Sequence, residues 1–232
     1  QNLKIKKEKM EAALQAYSVA AEFGVADVTT AATYQMAKIY SDLSRDLLES
    51  QRPEGLSPEE REQYDVLLEE QAFPFEEKAI QIYESNIRRV SAGIYDESIK
   101  KSFSALGKLL PVKYAKHEES EPLTSVTLNN DGKDEDEKAL VKATEQVPPN
   151  IEAYNQLGIH YRNNGRFDNA RNAYEKALVI NPNYLSAHLN LGILYDLHLR
   201  NVGKALAQYR LYNNLLPTAD PQLGMRIATQ EK

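Results

Sequence analysis

The sequence predicts an all-α protein, an α-solenoid of antiparallel helix pairs with two insertions and a short C-terminal capping helix. Three observations carry that expectation. Apolar residues recur three and four positions apart along most of the chain, the spacing that gives a helix one buried stripe. No stretch alternates apolar and polar residues as a half-buried strand does. Two segments repeat one another, Tyr154-x2-Leu157-Gly158-x2-Tyr161 and His188-x2-Leu191-Gly192-x2-Tyr195. Their glycines lie 192 − 158 = 34 residues apart.

The downstream halves agree. Ala170-x3-Tyr174-x2-Ala177 leads to Pro182, and Ala205-x3-Tyr209-x2-Tyr212 leads to Pro217. These prolines are 217 − 182 = 35 residues apart, which puts one extra residue in the second repeat, expected in the turn from Asn201 to Gly203. Leu157, Tyr161 and Tyr174 are large enough to fill the space between helices. Gly158, Ala170 and Ala177 are small and belong where two helix backbones come closest. Gly165, after Asn163-Asn164, suits the left-handed conformation that closes a helix. Pro182 ends the next helix, because its ring cannot continue the hydrogen-bond ladder.

With that period and those signature residues, 151–217 resembles the tetratricopeptide repeat family. The resemblance implies that the first helices of successive repeats line a concave groove that receives a segment of another protein. By alignment Asn155, Gln156, Ile159 and Arg162 of one repeat face the groove, as do Leu189, Asn190, Ile193 and Asp196 of the next. Gln156 and Asn190 occupy the same repeat position, and a side-chain amide offers donors and an acceptor to a peptide backbone. Ile159, Leu189 and Ile193 are expected to add exposed apolar surface. The alternative is that the acidic loop or a neighbouring helix of the same chain covers these residues. A clamp for a free C-terminal carboxylate, which needs several Lys, Asn and Arg, is rejected, because Ile159, Ser186 and Leu189 stand at the aligned positions.

Earlier in the chain the signature weakens. Lys6 to Ala21 carries Ala13-x3-Tyr17-x2-Ala20, the second-helix pattern, and Tyr34-x-Met36-Ala37-x2-Tyr40 resembles a first helix with Ala for Gly. The first insertion, 50–72, holds Ser57-Pro58-Glu59-Glu60, a capping box with proline at the first position, so an inserted helix is expected near 57–70. Lys78 to Arg89 and Ser102 to Leu110 supply two further degenerate helices, and Asp136 to Val147 a second-type helix. Glu118, Glu119, Glu121, Pro122, Asn129, Asn130 and Gly132 mark a second insertion without helical periodicity, read as a flexible acidic loop or linker. The expected organisation is therefore an N-terminal lobe over 1–116, a linker over 117–134 and a C-terminal repeat lobe over 135–232. Asp220-Pro221, with Leu223 and Ile227, predicts the capping helix at 220–230.

Composition excludes several function classes. With 28 basic against 34 acidic side chains the net charge is −6, which opposes binding to nucleic acid or to an anionic membrane. No apolar run approaches the ~20 residues of a membrane helix, so no direct membrane insertion by this segment is expected. Cysteine is absent, which removes disulfides, thiolate metal sites and cysteine nucleophiles. His117, His160, His188 and His198 form no H-E-x-x-H arrangement, and there is neither a phosphate-cradling glycine loop nor a G-x-S-x-G motif. No catalytic residue, metal or cofactor is expected. The function read from the sequence is a non-enzymatic scaffold or adaptor that binds a protein or peptide segment. The alternatives are a self-assembly module, in which the chain is an oligomer, and a regulatory domain of an enzyme. Residues 189–197 and 70–79 also resemble bacterial repeat proteins that accompany TonB and ExbB–ExbD systems. That resemblance implies a periplasmic or envelope location, with cytoplasm as the alternative, and a start at Gln1 leaves room for a leader, anchor or membrane helix before it.

Overall fold

The computed structural model describes residues 2–121, 123 and 134–218, and all secondary structure among them is helical. The chain divides into two compact units between Ala115 and Lys116.

In the first unit, α1 (Asn2–Glu22) packs on α2 (Ala26–Leu48), and α2 packs along the much longer α3 (Pro58–Ile87). A short 3₁₀ turn ends α3 at Gly93, whose φ of 79° is the left-handed exit that glycine takes without strain. Then follow α4 (Glu97–Leu109) and the single turn α5 (Pro111–Tyr114). Ser57 caps α3 as its sequence predicts: its hydroxyl accepts from the Glu60 amide while the Glu60 carboxylate accepts from the Ser57 amide. The inserted helix near 57–70 and the helix expected at Lys78 to Arg89 are one element, however, running through Pro74. An internal proline removes a backbone bond and costs ~3 kcal/mol. Burial of Leu68, Ala72, Ala79, Tyr83 and Ile87 on either side of it outweighs that loss.

A buried polar knot ties three of these helices together. Asn86 of α3 donates to the Thr30 carbonyl of α2 at 3.1 Å and to the Ser102 hydroxyl of α4 at 3.0 Å. The Thr30 hydroxyl bonds the Asp96 carboxylate, which also caps α4 by accepting from the Ile99 amide. Asn86, Thr30 and Ser102 are fully buried, so the knot fixes which faces meet.

The second unit contains α6 (Asp134–Thr144), α7 (Ile151–Asn163), α8 (Phe167–Ile180), α9 (Leu185–Ile193) and α10 (Val202–Leu215), each packed on the next. Its core is the repeat signature itself: Leu157, Tyr161, Ala170, Tyr174, Leu191, Tyr195, Ala205 and Tyr209. Gly165 closes α7 with φ 73°, and Arg166 donates back to the Tyr161 carbonyl at 2.8 Å. The repeat glycines meet rings rather than helix backbone. A Cβ on Gly158 would lie 2.3 Å from the Tyr174 ring, and one on Gly192 would lie 2.6 Å from the Tyr209 ring.

The extra residue of the second repeat is absorbed earlier than the turn at Asn201 to Gly203. Directly after α9, Leu194–His198 continues the helix as a π turn in which the Leu199 amide reaches the Leu194 carbonyl at 2.9 Å. A π turn takes in one additional residue without breaking the helix. Leu194 and Tyr195 keep their core positions through it. The capping helix expected at 220–230, and residues 124–133 of the expected linker, lie outside the described residues.

Candidate binding groove

The first helices of the two clear repeats, α7 and α9, lie side by side and present Asn155, Gln156 and Asn190 along one surface. That surface is occupied. Residues Lys116 to Glu121, part of the stretch read from sequence as a flexible loop, run through it as non-helical chain.

The grip centres on the backbone of Glu119. Asn190 Oδ1 accepts from the Glu119 amide at 2.8 Å, and Asn190 Nδ2 donates to the Glu119 carbonyl at 2.7 Å. Asn155 Nδ2 donates to the same carbonyl at 3.0 Å. Asn190 Nδ2 also reaches Asn155 Oδ1 at 2.9 Å, so each amide orients the other. Both asparagines are 0 % exposed. Two residues further along, Gln156 Nε2 donates to the Glu121 carbonyl at 3.0 Å. The equivalent positions Gln156 and Asn190 thus each take a carbonyl of alternate residues, a spacing set by extended chain, whose successive carbonyls point to opposite sides.

Side chains add a second layer. Glu118, with only 5 % of its side chain exposed, forms an ion pair with Arg162 through both Nε and Nη2. It also accepts from the Tyr174 hydroxyl at 2.7 Å. Burial, with the Glu118 charge beside it, holds the Tyr174 phenol well above its ordinary pKa, so this hydroxyl remains a neutral donor. Lys116, also 5 % exposed, pairs with Asp196 on the π turn, and its ammonium lies 5.3 Å from the Tyr209 ring centre. Tyr209 donates to the same Asp196 carboxylate at 3.2 Å, and Tyr212 donates to the Glu119 carboxylate at 3.0 Å. The groove is therefore polarised, with Asp196 accepting a cation at one end and Arg162 an anion beside the backbone grip. Behind it His198 stacks on Phe167 at 4.8 Å, and burial together with Arg162 pulls its pKa down to about 3.

Of the eight residues expected to face the groove, Asn155, Gln156, Arg162, Asn190 and Asp196 all contact the segment. The apolar three do not form exposed surface. Ile193 is buried at 4 % and belongs to the core, while Ile159 and Leu189 are half-buried against that core. Ile193 is followed by Leu194 and Tyr195, and all three are buried in the same core cluster. Sequence reasoning gave Tyr174 a packing role alone and assigned nothing to the hydroxyls of Tyr209 and Tyr212. Tyr174 and Tyr209 are 35 residues apart at matching repeat positions, and a phenol reaching from the second helix toward the groove is the signal they carried.

A cavity of about 310 Å³ lies elsewhere in this unit, between α6, α7 and α8, walled by Val141, Leu157, Tyr161 and Ala173 and rimmed by Asn172 and Lys176. Among the described residues no group of three or more His, Asp or Glu side chains could hold a metal ion, and no helix is long and apolar enough to cross a membrane.

The tetratricopeptide repeat family model matches residues 151–184, which span α7, α8 and the residue that opens α9. No curated protein matches the chain.

Proposed function

We propose that this chain, which carries a tetratricopeptide repeat, is a non-enzymatic interaction scaffold whose C-terminal unit holds an extended polypeptide segment of a partner protein. Tetratricopeptide repeats generally mediate contacts between proteins, which supports the coarse reading. The finer reading rests on one observation: two fully buried asparagines from successive repeats converge on the amide and carbonyl of a single residue, Glu119. Main-chain recognition of this kind accepts any sequence that stays extended. A buried side-chain amide left without a partner costs about 1–3 kcal/mol, so such a groove is built to be filled.

The double substitution Asn155→Ala with Asn190→Ala tests the grip. Hydrogen exchange at the Glu119 amide should become faster by an order of magnitude or more, while the helical circular dichroism persists. Co-purification from the native source, compared between the two chains, should lose specific partners with the double variant. An unchanged exchange rate and an unchanged set of partners would remove this reading. A place in a bacterial envelope complex is a further part of the proposal, supported by the sequence resemblance of 189–197 and 70–79. Recovery of the native protein in the cytoplasmic fraction would end it.

A further inference from the structure

We propose that the groove of the C-terminal unit selects its partner segment by a side-chain pattern, a basic residue followed at the second and third positions by acidic ones. We further propose that such a segment exchanges with the chain's own residues 116–121. The inference rests on the scaffold reading above and adds which segments are taken.

The pattern is written in the present occupant. Lys116 fills the Asp196 and Tyr209 corner, Glu118 meets Arg162 and Tyr174, and Glu119 receives the Tyr212 hydroxyl. His117, Glu119, Ser120 and Glu121 are exposed residues; the Glu119 carboxylate is nonetheless bonded to Tyr212, and Glu121 meets the groove through its carbonyl. Position by position, then, the groove reads a cation, ignores one residue, reads two anions and ignores the rest. Replacing Lys116 or Glu118 by a neutral residue removes the opposite charge that the segment brings to Asp196 or Arg162, which is how a polar site disfavours the wrong ligand.

Exchange follows from what holds the occupant. Only the Lys116 and Glu118 side chains of 116–121 are deeply buried, and both are charged. Desolvation offsets much of what a buried ion pair contributes to stability. Emptying the groove would take from Asn155 and Asn190 their main-chain partners and from Arg162 its Glu118 partner, so opening to solvent is unfavourable. Replacement of one matching segment by another preserves every bond and is nearly neutral. The tethered segment has the advantage of an effective concentration in the millimolar range, so a partner must either be abundant or bind more tightly.

The probe is a fluorescein-labelled peptide AKHEESEPL, residues 115–123, measured by anisotropy against the full chain. Binding should strengthen at least about tenfold when the chain's own segment carries Lys116→Ala, Glu118→Ala and Glu119→Ala, since tethered competition is then removed. In that background Arg162→Glu should weaken the peptide about tenfold or more, and a peptide with Glu118→Arg should recover part of the loss. On the unaltered chain, excess peptide should speed exchange of the chain's own Glu119 amide, a readout that does not depend on the triple variant folding. Equal binding of a peptide with alanine at the three pattern positions would overturn the pattern and leave main-chain recognition standing. No binding to either chain, with Glu119 exchange indifferent to Asn155→Ala and Asn190→Ala, would overturn both. A concentration-dependent doubling of mass that the triple substitution abolishes would assign the groove to a second copy and overturn selection of a separate partner.

Discussion

Gly158→Ala adds one carbon, and the structure fixes where it goes. The new Cβ would sit 2.3, 2.5 and 2.7 Å from three carbons of the Tyr174 ring, where contact normally begins beyond 3.4 Å. Relief requires the ring to move by roughly an ångström in a close-packed interior. Tyr174 is fully buried and its hydroxyl is bonded to Glu118, so it has little freedom to give way. Overpacking of this kind costs about 1–3 kcal/mol. Alanine returns up to ~1 kcal/mol through its better helix propensity. The net expectation is a loss of about 1–2 kcal/mol, which lowers the melting temperature of the C-terminal unit by about 4 °C or more. Gly107→Ala is the control. The atoms nearest a Cβ there belong to Ala115, at 3.8 Å and beyond, ordinary contacts, so propensity decides and the first unit should become slightly more stable. Thermal melts followed by circular dichroism, with hydrogen exchange to assign each transition, separate the two. The reasoning fails if Gly158→Ala melts at or above the parent temperature, or if both substitutions shift stability in the same direction.

The remaining predictions concern other parts of the chain. His198 has an ordinary pKa near 6.5 when unfolded but is held at about 3 when folded, so below pH 6.5 the unfolded chain binds the extra proton. Stability should therefore fall as pH drops from about 6.5 toward 3, by on the order of 2 kcal/mol at pH 5, and His198→Phe should flatten that slope in denaturant titrations. Ser57→Ala removes the acceptor of the α3 capping box and should cost about 1 kcal/mol, whereas Ser57→Asp should be close to neutral by the same titration. Asn86→Leu removes the donor that the buried Thr30 carbonyl and Ser102 hydroxyl share in the first unit and should cost about 1–3 kcal/mol; a chain of unaltered stability would show the knot to be dispensable.

What was legible in the sequence was whatever a period or a cap encodes locally. The glycine spacing placed α7 to α10, Ser57-Pro58 placed the start of α3, and Gly165 placed a helix end. The fusion of two expected helices through Pro74 was hidden, because the burial that overrides a proline comes from residues distant in sequence. The polar half of the groove was legible for a similar reason: Gln156 and Asn190 share a repeat position, and their neighbours follow by helical geometry. The apolar half was not, since the burial of Ile193 and the half-burial of Ile159 and Leu189 depend on how the helices of the folded unit pack. Nor does any local pattern say that Lys116-x-Glu118-Glu119 pairs with Asp196, Arg162 and Tyr212. Those are contacts between segments 44 to 93 residues apart, fixed only by the folded unit.

The widened turn at Leu194–His198 has a consequence for how such a surface can diverge. Each residue added to a helix rotates everything beyond it by about 100°. Asp196 sits inside the turn that takes up this rotation, at the repeat position that Arg162 fills 34 residues earlier, and it pairs with Lys116. Deleting one residue between Leu197 and Asn201 would restore the 34-residue spacing and straighten α9. Residues beyond the deletion, with the Tyr209 and Tyr212 hydroxyls among them, would be rotated, while the Asn190 grip and Asp196, which precede it, stayed in place. Insertion length therefore acts as a dial of its own. It can re-aim the phenols of the following helix and change which segment is accepted, with no side chain in the groove being replaced.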